Sequence, residues 1–118
     1  MFHTVTAQDF GLKILNSLRC GILSVDLHRR ITAINEIAIR IFELNNENYV
    51  GRHVDEILRE QQSLLLTLND ACQMKNLPSR AELDLRLGDG KNRTVGYTIS
   101  FVKDDAGNVE GISIFLRT

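Results

Sequence analysis

Residues 21–44, GILSVDLHRRITAINEIAIRIFEL, join two short apolar runs to a helix-period segment with almost nothing between them. Ile22 to Leu27 and Arg30 to Ile34 are rich in Ile, Val, Leu and Thr and lie only a few polar residues apart, the pattern of a β-hairpin. Asn35 then stands where a helix cap belongs, because its side-chain oxygen can accept from a first-turn N–H that has no partner within the helix. Glu36 follows at a place where the helix dipole favours negative charge. Ile37, Ala38, Ile41 and Phe42 fall on one face of this helix, and Glu36, Arg40 and Glu43 on the other, with Glu36 and Arg40 spaced as an i,i+4 ion pair. A helix that follows a strand so directly has no slack, so its apolar face must cover the hairpin.

The last part of the chain is also strand-like, with clear alternation. From Ala81 to Leu87 the leucines 83, 85 and 87 alternate with Glu82, Asp84 and Arg86, and Asp89-Gly90 supplies turn chemistry. From Thr94 to Val102, Val95, Tyr97, Ile99 and Phe101 alternate with Thr94, Gly96, Thr98 and Ser100. A second hairpin loop, Lys103 to Asn108 with Gly107, leads into a final strand from Val109 to Leu116. The two faces differ in polarity, so one side of this sheet is core and the other half-exposed.

Between these strand regions, Asn45 to Tyr49 is a polar break, and a short helix is expected from Val54 to Arg59 with His53 at its start. Gln61 to Lys75 places Leu64, Leu65, Leu68, Ala71 and Cys72 on one helical face, and Asn76 and Pro78 mark its end. The loop between the first two strands carries His28-Arg29. Either it uses an uncommon turn, or one of these residues takes a positive φ at a cost of about 1 kcal/mol.

Residues 1–8 read as a lead-in. From Asp9, which can cap, Phe10, Ile14, Leu15 and Leu18 repeat at helical spacing until Gly21 ends the segment. This amphipathic helix needs a surface to cover, and Phe10, Ile14, Leu15 and Leu18 are the candidate contacts of a homodimer. The alternative is a lid within one subunit.

With 118 residues, 43% of them hydrophobic and 25% charged, residues 9–118 form one domain that buries roughly two thirds of its unfolded surface. The formal net charge is -1 with no basic run, which argues against nucleic-acid binding. An apolar run such as Leu64 to Leu66 is far too short to cross a membrane, and the N-terminus resembles no signal peptide, so a cytoplasmic location is expected. Cys20 and Cys72 lack CxxC spacing and are expected to be buried free thiols.

No nucleophile or pair of titrating groups stands in catalytic spacing, and no GxGxxG, GxxxxGK[ST] or HExxH occurs. His3, His28 and His53 are dispersed, and Glu82, Asp84 and Glu110 fall on the outward positions of their strands. The expectation is a domain that is not itself an enzyme.

Taken together, Val25-Asp26, Arg30-Ile31, Ile34-Asn35-Glu36 and Ala38 resemble the opening of a PAS domain, whose pattern is VD-x-x-x-RI followed by N-x-x-A. Gly51-Arg52 to Leu58 (GRHVDEIL) and Asp105 to Ile112 (DAGNVEGI) agree in order and spacing, so the resemblance spans Leu15 to Arg117. In place of His28-Arg29 that family usually has Asp-Gly or Asn-Gly.

The resemblance implies an α+β fold: a five-stranded antiparallel sheet in the order 2-1-5-4-3, with helices on one face and the N-terminal amphipathic helix beside it. It implies a sensor and dimerisation module of a bacterial signalling protein, a sensor histidine kinase or an enhancer-binding transcriptional activator. Its partners would be a second copy, an output domain of the same polypeptide and a small-molecule ligand. The pocket such an architecture can hold would be lined by Ile41, Leu58, Leu65, Leu85, Tyr97 and Ile99, with the Tyr97 hydroxyl as its polar handle. Core packing accounts for the same six residues.

Another class within the family binds haem or flavin as a redox or gas sensor. It requires an axial ligand or an NCRFLQ-like cysteine motif, whereas His53 stands alone and Cys72 has another context. No cofactor is therefore expected.

Overall fold

The computed structural model describes residues 20–73 and 81–117. In chain order the elements are β1 (Gly21–Asp26), β2 (Ile31–Ile34), α1 (Glu36–Ile41), α2 (Val54–Ile57), α3 (Gln62–Cys72), β3 (Ala81–Arg86), β4 (Asn92–Lys103) and β5 (Val109–Arg117). The five strands form one antiparallel sheet in the order β2-β1-β5-β4-β3, as expected. At its centre β1 pairs with the distant β5, Leu23 opposite Ile114, and β5 pairs with β4 across their hairpin, Ile114 opposite Ile99.

The alternation in sequence becomes the two faces of the sheet. Leu23 and Val25 of β1, Ile112, Ile114 and Leu116 of β5, and Leu85 of β3 are buried in one core with Leu64 and Leu68 of α3. Ser24 and Ser113 meet across strands at 2.6 Å between hydroxyl oxygens, on the face away from the helices. Glu82, Asp84 and Glu110 are exposed.

Two glycines permit close approach. A Cβ on Gly21 would meet Ile41 Cδ1 at 2.9 Å and Ala38 Cα at 3.4 Å, so the bare backbone is what lets α1 settle on β1. Gly21 thus opens β1. A Cβ on Gly111 would stand 2.5 Å from the Val25 carbonyl oxygen of the neighbouring strand.

The helices are shorter than periodicity suggested. α1 ends at Ile41, with the C-cap at Phe42 and Glu43 turned left-handed at φ 57. α2 stops at Ile57 instead of Arg59. α3 begins at Gln62, and the predicted end at Lys75, with Asn76 and Pro78, lies outside the described residues. Ala38 and Phe42 are buried with Ile41 packed beside them, but Ile37 is only half-buried and stands apart from the core; Ile39 packs against it instead. The predicted helix of Asp9 to Leu18, with Phe10, Ile14, Leu15 and Leu18, also lies outside the described residues.

Candidate ligand cavity and the ties that hold the helical layer

The six residues read as pocket lining gather in one place, as part of the core. Leu58, Leu85 and Tyr97 are buried within it, and Ile41, Leu65 and Ile99 are half-buried against it. Tyr97 lies between Ala81 and Leu116 on the neighbouring strands.

A cavity of about 440 Å³ opens elsewhere, between the end of α1 and the segment around α2, and of the six only Leu58 lines it. Its walls mix Phe42, Leu44 and Ile57 with Glu47, Glu56 and Arg52. The Arg52 guanidinium lies 5.5 Å from the Tyr49 ring centroid and reaches Glu47 at 3.6 Å and Glu56 at 3.7 Å, loose pairs at an exposed rim that contribute little. Tyr49 is buried and donates its hydroxyl to the Asn45 carbonyl at 2.7 Å. Burial raises its pKa above the usual tyrosine value; the Glu47 charge adds to the shift and Arg52 opposes it.

Polar ties fasten the helical layer to the sheet. Asn35 is buried, and its Oδ1 accepts from Ala38 N at 2.9 Å and from Ile22 N at 3.0 Å, while its Nδ2 donates to the Cys20 carbonyl at 2.7 Å. The expected helix cap is therefore also a link to β1. The expected Glu36–Arg40 pair forms at 3.7 Å.

Gln61 is buried at the start of α3. Its amide donates to the Arg86 carbonyl at 2.8 Å and accepts from Arg86 N at 2.7 Å, imitating a strand on the free edge of β3. Glu43 accepts from Gly88 N at 2.8 Å and so joins the end of α1 to the β3–β4 loop.

At the opposite edge Arg29, with φ 63, is the loop residue that takes the positive φ, at a cost of about 1 kcal/mol. Its Nη2 donates to Asp55 Oδ2 at 2.9 Å and its Nη1 to Asn69 Oδ1 at 2.7 Å, linking the β1–β2 loop to α2 and α3. His53 caps α2, its Nδ1 accepting from Asp55 N at 3.2 Å.

Cys20 and Cys72 are free and half-buried, less enclosed than their apolar surroundings implied. Burial pushes the Cys72 thiol pKa up, with Arg29 pulling partly back. Among the described residues, no three His, Cys, Asp or Glu side chains converge to hold a metal ion, and no helix is long and apolar enough to cross a membrane.

The sequence marks Arg29 as one of two residues that can take the positive φ, but not the side-chain ties of Arg29 or of Gln61. The signal for the first was a missing turn glycine; for the second it was a glutamine at a helix start, which carries no mark of burial.

The PAS fold family model matches residues 10–118. A signal-transduction and transcriptional-control protein of Clostridium beijerinckii is 28% identical over 108 residues, which are 92% of this chain and 16% of that protein, so the chain spans about a sixth of the curated relative it matches. The PAS domain of Bordetella pertussis BvgS superposes with a TM-score of 0.69 at 14% identity, covering 94% of this chain and 85% of that one. A PAS domain from a two-component sensor histidine kinase gives a TM-score of 0.66 at 14% identity, covering 93% of this chain and 94% of that one. With the sheet order, the covering helices and the Asn35 cap joined to β1, the family match leads to one conclusion: the chain belongs to the PAS family.

Proposed function

We propose that this PAS domain is a sensor and dimerisation module of a bacterial signalling protein, acting in the cytoplasm without catalysis of its own. It relays a signal to an output domain of a sensor histidine kinase or an enhancer-binding transcriptional activator. The observation that carries this reading is the Clostridium relative, which is named a signal-transduction and transcriptional-control protein and in which a segment like this one fills only 16% of the length. A histidine-kinase PAS domain among the structural neighbours supports it.

Pairing runs through Phe10, Ile14, Leu15 and Leu18, whose apolar stripe needs a surface to cover. A small molecule is read on the concave face, among Ile41, Leu58, Leu65, Leu85, Tyr97 and Ile99, where the Tyr97 hydroxyl is the polar contact. Because those side chains already fill that space, a ligand enters only when the helical layer gives way.

The test is made in the native polypeptide that carries the domain. Excising residues 9–118 should leave the output, autophosphorylation or promoter activation, fixed at one level whatever the growth condition. Output still regulated as in wild type would contradict the reading.

A further inference from the structure

The three hairpin loops of the sheet close with the same two backbone hydrogen bonds. In each, the first residue donates its N–H to the carbonyl four residues on, and the fourth residue donates back to the first. Asp26 pairs in this way with Arg30 and Arg29, Leu87 with Lys91 and Gly90, and Asp104 with Asn108 and Gly107. The fourth residue is left-handed in all three loops, at φ 63 for Arg29, 83 for Gly90 and 86 for Gly107. Two loops place glycine there, which has no Cβ to clash; the third places arginine.

The arginine loop is also the one whose fourth side chain reaches the helical layer. We propose that Arg29 is a releasable latch: its guanidinium joins the Asn69 end of α3 to the β1–β2 hairpin and to Asp55 of α2, and breaking its two bonds lets that end of α3 lift from the sheet. Backbone strain of this kind persists where the side chain does something glycine cannot.

The fastening is firm in geometry and easily undone. Two charge-assisted donors reach Asp55 at 2.9 Å and Asn69 at 2.7 Å, and the Arg29 carbonyl accepts from Val54 N at 2.9 Å. The third donor, Nε, is buried with no acceptor among the described residues, so release hydrates a group that is unsatisfied when the latch is closed. The Arg29 and Asp55 side chains are 31% and 42% exposed, so water competes for both. α2 stays on the hairpin through backbone bonds from Val54 N to the Arg29 carbonyl at 2.9 Å and from Ile31 N to the Arg52 carbonyl at 2.8 Å, and the start of α3 keeps the Gln61–Arg86 ties, so release is a hinged opening of α3 that leaves the layer attached.

Hydrogen exchange under native conditions separates this role from a general contribution to stability. In Arg29→Gly, which keeps the loop in the form that Gly90 and Gly107 already use, the amides in the second half of α3 should exchange at least about tenfold faster, while α2, β4 and β5 exchange as in wild type. Asp55→Asn and Asn69→Ala should each give part of that effect, and Arg29→Gly combined with Asp55→Asn should add nothing further.

Cys72, labelled by an aromatic disulfide in a Cys20→Ser background, should react faster in Arg29→Gly. Arg29 favours the thiolate, so its loss on electrostatic grounds alone would slow the reaction. Wild-type exchange in α3, equal acceleration in β4 and β5, slower labelling of Cys72, or additive effects of Arg29→Gly and Asp55→Asn would each overturn the latch.

Discussion

Asn35 shows how far a single residue can be read in advance. A helix cap was legible from Asn35-Glu36 ahead of an apolar-periodic run, and removing a cap costs about 1 kcal/mol. The additional bond to Ile22 N was not legible, since it depends on where β1 lies. With that buried N–H also orphaned, Asn35→Ala should cost about 2 to 3 kcal/mol, measured by denaturant unfolding. A loss near 1 would mean that the Ile22 bond contributes nothing. Arg29 was half legible: the absent glycine announced an unusual loop, but the partners Asp55 and Asn69 lie far off in sequence.

Tyr49 gives a pH test at the same scale. Its folded pKa is raised, so the folded phenol keeps its proton to higher pH than the unfolded one. The tyrosine therefore costs nothing below its usual value near 10, and stability falls as pH rises from there through the folded value. Between about pH 9.5 and 11 the wild-type melting temperature should fall more steeply than that of Tyr49→Phe. Parallel declines would show that Tyr49 does not titrate differently on unfolding.

At the scale of elements, strand identity was written plainly in the alternation of Leu83 and Leu85, and of Val95, Tyr97, Ile99 and Phe101, because a strand with one dry face repeats every second residue. Helix ends were less legible. α2 stops at Ile57 and α1 turns at Glu43 because of where their neighbours lie, and periodicity carries no information about neighbours. Contacts between elements were hidden for the same reason, since glycine in a strand gives no sign of what approaches it. Gly111→Ala should cost roughly 1 to 3 kcal/mol, since the new Cβ would press on the Val25 carbonyl across the β1–β5 pairing. Circular dichroism melts would read this directly, and an unchanged midpoint would mean that the strands shift apart at no cost. Gln61→Ala should loosen the free edge of β3, with faster hydrogen exchange at Arg86 and little change in β1. If the Arg86 amide kept its wild-type rate, the side-chain clamp would not be what protects it.

For the molecule as a whole, the order of motifs from Val25-Asp26 to Gly111-Ile112 implied the sheet order later observed. The cavity beside Tyr49 and Arg52 was not foreseen, because it lies between loops whose course no periodic pattern describes. The reading of this domain as a relay depends on pairing, since two copies joined through one surface can pass a change in either to a shared output. Burial of Phe10, Ile14, Leu15 and Leu18 is worth roughly 1.5 to 3 kcal/mol each when complete, and in a two-fold pair their loss strikes the interface twice. Sedimentation of residues 1–118 at tens of micromolar is the most direct measurement: wild type should run as a dimer, and Phe10→Ser with Ile14→Ser as a monomer with its sheet dichroism intact. A wild type that sediments as a monomer at those concentrations would contradict the account.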